Sequence, residues 1–136
     1  MNKDDIIKAL DNIIKKDIIK ADDFWLSNKS ALVFYGIEND LDYVSINCRQ
    51  NIFQNLENEE RYFERKKGKT KIMQLSSNVI LYEDNRPRKF CYKDGFKVET
   101  MYSILSKKLF YGGLKDKKEI EFFLEHADET EKDSDA

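Results

Sequence analysis

The chain has one histidine, two cysteines and one proline among its 136 residues. The histidine, His126, lies in an acidic stretch near the C-terminus. One isolated imidazole excludes Ser-His and Cys-His nucleophilic catalysis and any histidine-rich zinc site. Cys48 and Cys91 are far apart, so there is no Cys-x-x-Cys metal spacing. Each sits among apolar, strand-like neighbours, and the expectation is two buried free thiols in a reducing, cytoplasmic compartment. No apolar run is long enough to cross a bilayer, which excludes a membrane-spanning helix. The N-terminus carries Asp4 and Asp5 where a secretion signal needs a basic start and an apolar run, so a leader is not expected. A charge excess is missing as well. Lysine and arginine total 24 against 26 acids, a net charge of -2 with both signs interspersed, which argues against a dedicated nucleic-acid binder.

What is there suffices for a core. The composition is 40% hydrophobic and 37% charged, and the length fits one domain. Residues 1–125 read as that domain, and residues 126–136 as an acidic disordered tail that contributes nothing to folding. The spacing of Ile6, Ile7, Leu10, Ile13, Ile14 and Ile18 predicts an amphipathic helix over residues 3–20, capped by Asn2 and docked on a core. Residues 21–27 suit a buried strand, and residues 28–36 a short helix closed by Gly36. A turn at residues 38–40 leads to a strand over 42–48, in which Tyr43, Ser45 and Asn47 alternate with Val44, Ile46 and Cys48. Residues 50–60 read as a helix. The stretch of residues 60–84 turns toward β structure, within which residues 71–75 and 79–82 pair as one hairpin, and residues 89–98 form another around Asp94-Gly95. Thr100 caps a helix through Leu109, Gly112-Gly113 interrupts it, and a last helix runs through Ile120 and Leu124. The predicted class is α/β in the broad α+β sense: a mixed sheet with flanking helices.

Several segments, in order, resemble the nucleotidyltransferase-like domains of the DNA polymerase beta superfamily. Residues 28–36 are similar to the glycine-serine opening of those domains, and Asp40-Leu41-Asp42-Tyr43-Val44 to their Asp-x-Asp strand. Residues 95–99 with 104–109 resemble the segment bearing a helical lysine, here Lys108, and residues 115–120 the lysine-aspartate element that follows. The resemblance spans residues 24–124 and implies a Mg²⁺-dependent site that takes a nucleoside triphosphate. In it, Asp40 and Asp42 would hold metal, Lys29 and Ser30 would contact phosphate, and Lys108 would neutralise charge. Carboxylates at i and i+2 of a strand share a face, and Mg²⁺ prefers such hard oxygen ligands.

The departures are equally definite. Asn28 and Lys29 stand where the family has two glycines, and their side chains obstruct close backbone approach to phosphate. The hairpin over residues 71–82 holds no acid for the family's third carboxylate; Glu83 and Asp84 come just after it. The resulting expectation is a small, degenerate domain that is weakly active or serves as a non-catalytic binding or regulatory module with a protein partner. The alternative is a nucleotidyltransferase moving a nucleoside monophosphate to an acceptor, as toxin and phage-defence relatives do. An unrelated interaction domain is the third reading.

Overall fold

A computed structural model describes residues 1–38 and 40–110. Its elements run α1 (Lys3–Lys15), a 3₁₀ turn (Ala21–Asp23), β1 (Trp25–Leu26), α2 (Asn28–Phe34), β2 (Val44–Cys48) and α3 (Gln50–Glu59). They continue with β3 (Phe63–Lys67), β4 (Thr70–Ser76), β5 (Val79–Glu83), β6 (Phe90–Lys93), β7 (Phe96–Glu99) and α4 (Met101–Phe110). The turn expected around Asn39 lies partly outside the described residues. So do Gly112-Gly113, the last helix and the acidic tail.

The strands form one seven-stranded mixed sheet in the order β3-β4-β5-β2-β1-β7-β6. β2 runs parallel to β5 and β1 parallel to β7, and the other neighbours are antiparallel. With the four α-helices among the described residues this is an α+β fold. Paired residues in a sheet point to the same face, so the register divides the side chains into two sets. One row runs Val98, Leu26, Ile46, Leu81 and Met73 across five strands. All five are buried in one cluster that also takes Ile6 and Leu10 of α1, Leu32 of α2, Phe53 of α3 and Met101 of α4. The opposite face carries the row Trp25, Asn47, Tyr82, Ile72 and Arg65.

The ends of the helices follow local chemistry. Asn2 and Asp5 form a reciprocal capping box at α1, which satisfies two otherwise orphaned N–H groups. α1 stops at Lys15, short of the expected residue 20. Asp17 turns left-handed at φ 58°, and Ile18 N–H donates to the Ile13 carbonyl at 3.0 Å. Ile18 still packs against the core from beyond the helix end. The apolar stripe therefore outlasts the helix, because a C-terminal reversal of this kind normally brings an apolar residue back onto the last turn. α2 closes the same way through Gly36 at φ 79°. Asp94 and Gly95, at φ 53° and 85°, form the β6–β7 turn, where positive φ at both central positions matches the twist of the strands. Thr100 Oγ1 accepts from Ser103 N–H at 3.1 Å and caps α4.

Two expectations need correction. Residues 21–27 are a 3₁₀ turn followed by only two strand residues, since the turn already uses Asp23 N–H on the Lys20 carbonyl. β3 is an additional strand in a charged stretch. It lies at the sheet edge, where exposed charge is tolerated because one side stays solvated.

Candidate functional site

A cleft of about 800 Å³ opens on the sheet face opposite the main core. Asn28, Lys29 and Ser30 border it where β1 passes into α2, and Asp40 and Asp42 border it from the loop ahead of β2. Its floor is Ser45, Asn47 and Tyr82 on β2 and β5. Lys69 and Thr70 stand on one side, and residues 83–86 with Arg88 on the other.

β2 begins at Val44, so the strand expected to carry Asp40 and Asp42 starts beyond them. The first ladder bond of β2 is Val44 N–H to the Asn78 carbonyl at 2.8 Å, while Leu41 N–H donates to the Met1 carbonyl at 3.0 Å. The loop is thereby tied to the N-terminus and leaves the sheet. Asp40 is 90% exposed and lies 3.1 Å from the Met1 ammonium. The β2 positions that face the cleft are Ser45 and Asn47, with Tyr43 just ahead of the strand, and none of the three is an acid.

Asn28 takes φ 54°, the left-handed conformation that glycine favours and asparagine tolerates best among the others. The turn into α2 thus combines a glycine-like backbone with an asparagine side chain. Ser30 is 1% exposed, and its Oγ accepts from Ser45 N–H at 2.9 Å, which locks α2 to β2. Ser27 does not cap α2; its hydroxyl donates to Asn47 Oδ1 at 2.8 Å. Both bonds fix the floor of the cleft.

β5 extends to Glu83, in parallel register with Cys48 of β2. Sequence reading ended the hairpin at residue 82. Strand alternation turns Glu83 toward Cys48, while Asp84 is held by Arg88 Nε at 3.0 Å and by Arg86 N–H at 3.1 Å. Arg49 Nη1 donates to the Asp84 and Arg86 carbonyls at 3.0 and 2.5 Å, and its guanidinium stacks on Trp25 at 4.7 Å. Asn85 Oδ1 accepts from Gln50 N–H at 2.8 Å at the start of α3. The loop after β5 is thus pinned by five bonds to Arg49, the start of α3 and itself. Nothing in the sequence pattern announced this network, because its partners come from three separate segments. Lys108 belongs to α4, and its side chain lies outside the described residues.

Burial and hydrogen bonding with Tyr43 push the Tyr82 phenol above its ordinary value, so it stays a neutral hydroxyl in the cleft. Among the described residues no group of three His, Cys, Asp or Glu side chains is placed to hold a metal ion. Two of the acids bordering the cleft, Asp40 and Asp84, lie within ion-pair distance of the Met1 ammonium and Arg88.

Beneath the floor, burial and then the nearby charges of Glu83 and Asp23 push the Cys48 thiol from 9.0 up to about 12. The native state keeps a proton that the unfolded chain releases. This contribution to stability is whole below about pH 9 and is lost as the pH rises toward about 12. The urea midpoint is therefore expected to fall above pH 9, and Cys48→Ala is expected to flatten part of that fall. Parallel slopes for the two proteins between about pH 9 and 11 would contradict it.

Comparison with protein-family models, with curated proteins and with solved structures finds no match for this chain.

Proposed function

We propose that the protein is a degenerate nucleotidyltransferase-like domain that works as a non-catalytic binding or regulatory module, with the cleft beside residues 28–30 as its binding surface. One observation carries this reading. The β2 and β5 side chains that floor the cleft, Ser45, Asn47 and Tyr82, are neutral hydrogen-bonding groups. In-line transfer between two metal ions needs carboxylates held rigidly on such positions, as clamps for the attacking and leaving oxygens. Of the acids bordering the cleft, Asp40, Asp42 and Asp84 stand on loops, and Glu83, at the end of β5, pairs in register with Cys48 on the core side. Asp40 and Asp84 are paired with cations. A polar floor with cations and acids around it suits a small ligand recognised by hydrogen bonds.

Mg²⁺-dependent nucleotidyl transfer is the second reading. It is favoured by the position of Asp40, Asp42 and Asp84 around the same cleft as Lys29. In that reading Asp40 and Asp42 would hold Mg²⁺, which would supply positive charge to the triphosphate, while Lys29 and Ser30 would contact phosphate and Lys108 would add a further charge.

Calorimetric titration with the four triphosphates, with and without Mg²⁺ and Mn²⁺, separates the two. The expected result is no gain in affinity on adding either metal. Micromolar binding that requires the metal and disappears in Asp40→Asn/Asp42→Asn would overturn this reading in favour of the enzyme.

A further inference from the structure

Positive charge is locally dense in one segment of the described residues. Between residues 61 and 71 stand Arg61, Arg65, Lys66, Lys67, Lys69 and Lys71 against one acid, Glu64, in a chain whose net charge is -2. This segment is β3 and its turn into β4, at one edge of the sheet. A whole-chain charge balance averages such a patch away.

The register sorts the patch by face. Lys71 lies on the α3 side, 3.4 Å from Glu57. Phe63 and Arg65 lie on the other side, because Arg65 pairs with Ile72 and Ile72 with Tyr82. That is the face of the cleft, and Lys69 borders the cleft from the turn. Phe63 is 73% exposed, on an edge strand among cations. Tyr43, which also borders the cleft, is 43% exposed.

We infer that the β3 edge and its turn, continued along the cleft by Lys69, form a docking surface for single-stranded nucleic acid. Arg65 and Lys69 meet phosphodiesters, and a base stacks on Phe63. The chemistry distinguishes this partner from other polyanions. Carboxylates and bare phosphates satisfy the cations but have no flat face for an exposed ring. A duplex has phosphates, but its bases are already stacked on one another. Unstacked bases supply both on every repeating unit of the chain, and stacking on an aromatic ring tolerates any sequence. This inference stands apart from the proposed function, since it needs neither a triphosphate nor a metal.

Fluorescence anisotropy with fluorescein-labelled oligo(dT) and oligo(U) of about twelve nucleotides tests it in EDTA, against a duplex of equal length and a polyglutamate peptide. Both single strands are expected to bind at low salt and to weaken linearly in log–log form as salt rises. Phe63→Ala should weaken binding about tenfold with the salt slope unchanged, while Phe63→Trp restores it. Arg65→Gln/Lys69→Gln should make the slope shallower by one to two. Phe63 lies on the surface, so its variants keep the fold, and circular dichroism verifies that. Absence of binding at low salt overturns the inference. So does tighter binding of duplex or polyglutamate, or indifference to Phe63→Ala; preference for polyglutamate would assign the edge to an acidic protein.

Discussion

Arg88→Met is expected to lower folding stability by about 3 kcal/mol, enough to leave a marginal domain largely unfolded at 37 °C. Arg88 Nε lies 3.0 Å from Asp84 and 3.8 Å from Glu99, and Glu99 is 0% exposed. Ser103 Oγ donates to Glu99 Oε2 at 2.7 Å. Methionine preserves much of the stem volume but leaves a buried carboxylate without its cation. The desolvation cost of that charge is then no longer offset, and this penalty exceeds the worth of an exposed ion pair several-fold. Urea unfolding measures it. The double variant Arg88→Met/Glu99→Gln should recover a large part of the loss, since it removes the stranded charge. A single variant within about 0.5 kcal/mol of the parent would show that the network does not carry this load.

The second large effect is expected at Leu26. β1 is two residues long, yet it joins two parts of the sheet: Leu26 pairs with Ile46 of β2 on one side and Val98 of β7 on the other. Leu26, Ile46 and Val98 are all fully buried. Leu26→Ala removes side-chain volume at the narrowest seam, and core truncations of this kind cost about 3 kcal/mol. Hydrogen exchange gives the sharper readout. Amides of β6 and β7 should lose more protection than those of β4 and β5, because only this seam joins β7 to the strands beyond it. Uniform loss across the sheet would show that the two parts unfold as one unit.

The alternation of Tyr43, Ser45 and Asn47 with Val44, Ile46 and Cys48 was legible because period-two patterning is local, and the structure keeps it in β2. The β6–β7 turn was equally legible, since Asp-Gly encodes its own backbone conformation. The end of α1 was not legible: Ile18 continues the helical spacing from a reversed chain, and periodicity cannot tell an apolar residue in a helix from one folded back onto it. β3 falls in the stretch of residues 60–84 expected to turn toward β structure, but its bounds were not legible, because its stability comes from pairing with β4 rather than from apolar alternation. At the candidate site, the sequence brought Lys29, Ser30, Asp40 and Asp42 to attention, and all four border the cleft. It could not show that Ser30 is enclosed and bonded to Ser45, or that Asp84 is paired with Arg88.

The sequence by itself therefore determined the class of fold, most helix and strand positions, and the tight turns, because propensity, capping and apolar period act over a few neighbouring residues. Only the tertiary structure decided which face of the sheet stays open, which acids meet cations there, and that the cations of residues 61–71 gather at an edge rather than spread over the surface. Those outcomes depend on strand order and register between segments as far apart as Trp25, Asn47, Tyr82 and Arg65. No local pattern encodes that pairing, which is set by how the whole chain buries one apolar face.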